Sequence, residues 1–386
     1  MKPVTRTYLD ANATHPLLPQ ARQAMVDALE LPGNPSSVHE EGRAARRMIE
    51  ESRRSVAATV NAKPEHVTFT AGATEAANLL LTPHWQLGRS KLAMGRLYVC
   101  ASDHPCTLAG GQFDASQVTV LPVLSSGELA LAILETALAA HDKATGLPLV
   151  AVHNANNETG VIQPIGAIAA IVKAHGGILI VDAVQSLGRI PLDITTGCGD
   201  FFIVSSHKIG GPKGAGAFIG VTDLMMPVPL LRGGGQEKGR RSGTEALPAI
   251  AGFGAAAKLL PGRLERASEL AAMCNRIEAV IKAAAPDAVF HGHHAAARLP
   301  NTTFFSYSGM NAETLQIAFD LQKIAVSAGS ACSSGKVGPS HVLKAMGVDG
   351  TEGAIRVSVS LENTDEEIDR FAEALAAIVS RRAKQT

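Results

Sequence analysis

Between residues 67 and 219 the chain alternates short apolar, β-branched runs with stretches of helical period. Val67-Thr68-Phe69-Thr70 runs into a small-residue turn and an Ala/Leu helix. Further strands are read at Leu97-Tyr98-Val99, 118–121, 149–153, Ile178-Leu179-Ile180-Val181, 201–205 and 215–219, with helices such as 128–141 and 165–175 between several of them. This alternation predicts an α/β fold with a mainly parallel sheet covered by helices on both faces. Ahead of it, a helix from Pro16 to about Leu31 sets Leu18, Ala21, Met25 and Leu29 on one face, and 38–60 reads as a charged amphipathic helix with Met48, Ile49, Ser52 and Val56 inward. After about residue 261 the pattern becomes a helix at 263–284, short strands near 302–307 and 355–360, and a last helix from Thr364. The expected division is a large α/β domain at 16–262 and a smaller α+β domain made of 1–15 with 263–386.

Composition narrows the function classes. Lys+Arg and Asp+Glu both total 35, so no net field draws nucleic acid or an anionic membrane, and at 4% aromatic there is no basic-aromatic stripe for base stacking. The uncharged stretch 246–257 is shorter than the ~18–20 residues of a membrane span, and the N-terminal residues lack an apolar signal core, so a cytoplasmic protein is expected. Five cysteines without C-x-x-C spacing argue against a disulfide framework or a zinc site and leave single-thiol chemistry open.

The chemistry gathers at strand ends. Thr74, His104, Asn156, Asp182, Gln185, His207 and Lys208 each come just after a predicted strand, where open α/β sheets bind ligands. Lys208 leaves the buried run Phe201-Phe202-Ile203-Val204, a place where desolvation disfavours an ammonium. Alone, such a lysine more often snorkels to water. One βα unit earlier, however, Ile178-Leu179-Ile180-Val181 ends in Asp182. A strand-end lysine and a strand-end aspartate are what a pyridoxal phosphate site needs, the amine to form an imine and the carboxylate to keep the ring nitrogen protonated. Gly72-Ala73-Thr74 opens a helix, as either a phosphate cradle or a plain N-cap. Residues 329–336 miss the P-loop spacing, and the glycines of 210–220 lie between two strands with no helix after them, so neither is a nucleotide motif. His291-Gly292-His293-His294 is read as a loop without function and not as a metal site, and no metal is expected. The small-residue run 326–335 around Cys332 reads as a mobile loop, about 326–338, whose thiol reaches a site and withdraws.

Several stretches together resemble the cysteine desulfurases, class-V aminotransferase relatives of fold type I that use pyridoxal 5'-phosphate. They are Gly33-Asn34-Pro35-Ser36-Ser37-Val38-His39, Gly72-Ala73-Thr74-Glu75, His104-Pro105, Asn156-Asn157-Glu158-Thr159-Gly160, Asp182-Ala183-Val184-Gln185, Ser205-Ser206-His207-Lys208, Gly233-Gly234-Gly235-Gln236-Glu237, Arg241-Ser242-Gly243-Thr244 and Ser330-Ala331-Cys332. The thiol loop resembles that of the housekeeping and nitrogenase-associated branch. The resemblance implies Lys208 as imine-forming lysine and base, Asp182 on the ring nitrogen, and His104 stacked on the ring and helping to move the substrate thiol's proton. It implies Asn156 and Gln185 at the ring hydroxyl, and Ala73, Thr74, Ser205 and His207 at the phosphate with Thr244 from a second subunit of a homodimer. Asn34, Asn156 and Arg356 would bind the substrate, L-cysteine. Cys332 would take its sulfur as a persulfide for an acceptor protein, in iron–sulfur cluster assembly or thiolation. The rival expectations are a class-V aminotransferase or lyase that does not use Cys332, and a catalytically silent scaffold for a sulfur carrier. The chain departs from the usual pattern at Asp103, where the relatives carry Glu before His-Pro, and after Arg356.

Overall fold

The computed structural model describes residues 6–329, 339–348 and 354–383. Among these, nine strands form the larger sheet: β1 (Val67–Thr70), β2 (His84–Leu87), β3 (Ser90–Cys100), β4 (Val118–Leu121), β5 (Leu147–His153), β6 (Ile178–Asp182), β7 (Phe201–Ser205), β8 (Gly216–Gly220) and β9 (Met225–Pro227). Their order is β9-β2-β3-β5-β6-β7-β8-β1, with β4 also on β3. Strands β3 to β7 run parallel, and the antiparallel pairings leave β2 and β8 opposed to the rest. The central strands are apolar on both faces because helices cover both; β6 and β7 read Ile-Leu-Ile-Val and Phe-Phe-Ile-Val.

Two details depart from the expected pattern. The run 215–219 joins the sheet antiparallel to β7, since the short turn from Ser206 to Ala215 cannot make the crossover that a parallel neighbour requires. The β2–β3 hairpin is not legible in the sequence apart from Leu97-Tyr98-Val99, because its outer half is exposed and carries Ser90, Lys91 and Arg96 in place of clean alternation.

A separate apolar cluster forms around Leu9, Ile277, Phe305, Phe319, Ile355 and Phe371. It lies between helices Ala267–Ala284, Ala312–Leu321 and Asp365–Ala383 and a four-stranded sheet of Val289–Phe290, Thr302–Ser306, Ser327–Ala328 and Ile355–Ser358. The N-terminal strand Thr7–Tyr8 pairs with Ile324–Ala325, and Asp10 bridges to Ser358.

A buried ion pair holds the turn at 236–239. Arg53 of helix Glu40–Ala58 donates from both guanidinium NH groups to Glu237 at 2.7 Å, and Phe69 N–H donates to the same carboxylate at 2.8 Å. Glu237 and Lys238 sit in the left-handed region at φ 47° and 59°, a strained conformation for side-chain-bearing residues that such anchoring maintains. Arg53→Ala strands the buried carboxylate and is expected to cost about 3–5 kcal/mol in urea unfolding. A loss under about 1 kcal/mol would show that the pair is not the anchor.

Candidate active site

The parallel register sets His153 beside Asp182 and Asp182 beside Ile203, so β5 and β6 finish level and β7 runs two residues further, to Ser205. Above them opens a cavity of about 660 Å³, within the usual range for small-molecule sites. Lys208 reaches its wall one short turn after β7, and its Nζ donates to the carbonyls of Asn12 at 2.6 Å and Ala13 at 3.0 Å. Asp182 lies on the same wall and its Oδ1 accepts from Val184 N–H at 3.0 Å. Burial pushes the Asp182 carboxyl up to about 6; the Val184 hydrogen bond, His153 and Lys208 pull it back, while Asp103 adds to the rise.

The helix Ala73–Leu80 begins at the cavity with no side-chain cap among the described residues, so its first backbone N–H groups, with Thr74, make an electropositive end there. Ser205 and His207 share that wall. His207 Nδ1 lies 3.1 Å from Thr14 Oγ1, and burial, then Lys208 and Lys213, bring the ring down to about 4. His104 caps the short helix Pro105–Leu108, and burial followed by the Lys208 and His341 charges lowers it to about 4 as well. An amine, a carboxylate, two neutral imidazoles and an anion-binding helix end thus share one cavity. That set suits a charged, ring-bearing cofactor with a phosphate.

The family model described as aminotransferase class-V matches residues 7–371. The chain belongs to the class-V aminotransferase family, in its cysteine desulfurase branch. It is 35% identical over 382 residues to the IscS-like cysteine desulfurase of Mycobacterium tuberculosis, covering 97% of this chain and 96% of that protein. Among solved structures, the NifS-like protein from Rickettsia africae matches with a TM-score of 0.85 at 33% identity, over 97% of this chain and 100% of the other. A second, SspA in complex with cysteine, matches with a TM-score of 0.76 at 29% identity, over 92% and 98% of the two chains.

Of the residues expected at a class-V site, Ala73, Thr74, His104, Asp182, Gln185, Ser205, His207 and Lys208 all line the cavity. Gln185 is held there at both ends of its amide, donating to Asn12 O at 3.1 Å and accepting from Arg189. Asn156 is placed differently. Its Nδ2 donates to Ser102 O and its Oδ1 accepts from Glu158 and Thr159 N–H, so the amide builds the turn, and Asn157 lines the cavity instead. Asn34 is exposed and folds back on Ser36 N–H, away from the cavity wall. Thr244 lines a small side pocket that shares Ala71 and Gly214 with the main one.

Arg356 is buried one layer behind the wall, donating to Asp10 Oδ1 and Asn157 O, both at 2.8 Å, with Nε unpartnered among the described residues. Cys332 lies outside the described residues. The segment expected to be mobile from 326 begins instead as the buried edge strand Ser327–Ala328, paired to Arg356 and Ile355 and tied to Asp10 by the Ser327 hydroxyl. Glu158 sits between the described residues that flank 330–338: Ser340 Oγ donates to its Oε2 at 2.5 Å, and a Cβ on Gly329 would come within 2.7 Å of the same oxygen. Burial pushes this carboxyl up to about 7.

Other wall residues were not anticipated: Asn12 and Thr14 from the N-terminal segment, Cys106, and His153. His153 ends a predicted strand level with Asp182, which is the one signal that marks it. Its Nδ1 meets Asp103 Oδ1 at 2.6 Å. Asp103 also accepts from the backbone N–H of Cys100 and His153, so the Cys100–Asp103–His153 cluster is knit by hydrogen bonds. In the 291–294 loop, His293 meets the carboxylate of Glu278 on the helix Ala267–Ala284, at 3.1 Å, which Arg298 shares.

Proposed function

We propose that the chain is a pyridoxal 5'-phosphate-dependent cysteine desulfurase, converting L-cysteine to L-alanine with the sulfur left as a persulfide on Cys332. The observation that carries this reading is that Lys208 and Asp182 line one cavity, in a chain that aligns nearly end to end with proteins named cysteine desulfurases. The residues fit the cofactor. The uncapped helix end with Thr74, Ser205 and His207 offers donors for a phosphate, and the partly desolvated Asp182 suits a ring-nitrogen proton. When bound, the cofactor supplies a sink for the electron pair left at the substrate's Cα.

In this reading Asp182 holds the ring-nitrogen proton through a charge-assisted contact worth ~1.5–3 kcal/mol. Lys208 Nζ takes and returns the Cα proton. Ala73 N–H, Thr74, Ser205 and His207 hold the phosphate, joined by the partner subunit's Thr244 in a homodimer. Gln185 stays a ring contact, and Asn157 takes the role expected of Asn156. Arg356 is assigned to the substrate carboxylate, exchanging Asp10 for it, and Asn34 joins it by leaving Ser36 and the exposed turn that holds it outside the cavity wall. The Cys332 thiolate attacks the sulfur of bound cysteine, and the C–S bond breaks with its electrons kept by the carbon. That carbon is protonated and alanine leaves, while the persulfide passes to an acceptor protein. We also assign 16–262 as the cofactor-binding domain and 1–15 with 263–386 as the smaller one, supported by the separate core around Phe305 and Phe371.

Cys332→Ala tests the persulfide step. Alanine release from cysteine in the presence of a sulfur acceptor should fall at least ~10³-fold, as when a covalent nucleophile is removed, while the absorbance change on adding cysteine persists. Turnover at the wild-type rate would favour a lyase that ignores Cys332. Protein left colourless after incubation with the cofactor would favour a silent scaffold.

A further inference from the structure

His104 and Cys106, two residues apart at the start of the helix Pro105–Leu108, make an arrangement that the desulfurase reaction as assigned does not use. The backbone N–H of Cys106 donates to His104 Nδ1 at 3.2 Å, and Cys106 Sγ lies 3.0 Å from the same nitrogen. A backbone N–H is only a donor, so Nδ1 presents its lone pair and carries no proton. The thiol is a fitting second donor, since burial, reinforced by Asp182, pushes it up to about 12 against the pull of the Thr107 and Thr74 hydroxyls, so it keeps a proton to offer. The ring is neutral near pH 7, being lowered to about 4. Its one proton therefore resides on Nε2, the ring nitrogen left to the cavity whose wall His104 forms.

We propose that Cys106, through its backbone N–H and its thiol, is a positioning residue that locks His104 as the Nε2–H tautomer, so that His104 faces the cavity as a hydrogen-bond donor and not as a base. The proposal rests on the cysteine desulfurase reading and changes one part of it. A neutral imidazole with its proton on Nε2 and its lone pair on Nδ1 engaged has no free nitrogen to take the substrate thiol's proton. That proton stays on the sulfur as Cys332 attacks it, or leaves to a base other than His104, while Lys208 keeps its task at the Cα proton. His104 then steadies negative charge by donation, a role that asks for a fixed N–H and no change in protonation.

The test starts with the holoenzyme labelled with ¹⁵N in its histidine rings. Long-range ¹H–¹⁵N spectra at pH 7–8, with His104 assigned by its loss in His104→Gln, should show a bare Nδ1 and a protonated Nε2. An Nδ1–H tautomer or an imidazolium overturns the proposal. Cys106→Ser retains a side-chain donor and should retain the tautomer. Cys106→Ala should bring in a measurable Nδ1–H population, and an unchanged spectrum would remove the thiol from the lock. Kinetically, His104→Gln supplies an N–H but accepts no proton. It should keep kcat within about tenfold of wild type and at least tenfold above His104→Ala, whereas equal losses in the two variants would make His104 a proton acceptor and overturn the donor role. The spectra need no turnover. If wild type released no alanine from cysteine, the activity reading would fail while the tautomer could still be read.

Discussion

Lys208→Ala should abolish alanine release from cysteine, with kcat down at least ~10³-fold, because one substitution removes both the cavity's reactive amine and the base for the Cα proton. The fold should survive. Lys208 lies just past the end of β7, and its ammonium contacts two carbonyls of the N-terminal segment and belongs to none of the apolar clusters of the described residues. The variant should therefore keep its circular dichroism and melting cooperativity, and it should lose colour on desalting where wild type keeps it. Turnover within tenfold of wild type would mean that another amine does the work, and the assignment of the cavity would have to be redrawn.

Asp182→Asn should act in opposite directions on activity and on stability. Turnover should drop ~10²–10³-fold, the scale for removing a preorganised electrostatic contact to developing charge. In the cofactor-free protein the sign reverses. The folded carboxyl titrates near 6 against an ordinary 3.8, so the folded state holds its proton more tightly than the unfolded one. The cost of the bare carboxylate is absent below pH 4, grows between pH 4 and 6, and is full above that, at roughly 2–3 kcal/mol by ~1.4 kcal/mol per pKa unit. Asparagine still accepts the Val184 N–H and carries no charge. The cofactor-free variant should thus melt above wild type at pH 8 and level with it at pH 4. A variant that melted lower at both pH values would show that the carboxylate is a structural partner and not a strained functional group.

Much of the site was legible because its parts are local. A buried strand announces itself in four or five residues, and the residues just after it stand at the sheet's carboxyl edge wherever the strands are parallel. Asp182, His207 and Lys208 are found that way, while Ser205, the last residue of its strand, enters through the family resemblance. Asn156 and Asn157 show where locality ends. Both come after the same strand, and either satisfies the pattern. What separates them is that the Asn156 amide closes the turn onto Ser102, Glu158 and Thr159, leaving Asn157 on the cavity wall. Arg356 comes to the substrate carboxylate only through the resemblance, and in the fold its guanidinium is already engaged by Asp10, a residue 346 positions away.

By itself the sequence determined the α/β alternation, the strand-end amine and carboxylate, and a family resemblance spread from the first fifty residues to Cys332. Those signals are carried by periodicity and short motifs, which depend on neighbours along the chain. Only the tertiary structure decided that β8 runs antiparallel, that the N-terminal segment supplies Asn12 and Thr14 to the cavity, and that His153 stands beside Asp182 on a hydrogen-bonded Asp103. Each of those is a contact between distant segments, and such a contact forms only when burial of the cores brings the segments together and leaves their polar groups to find one another.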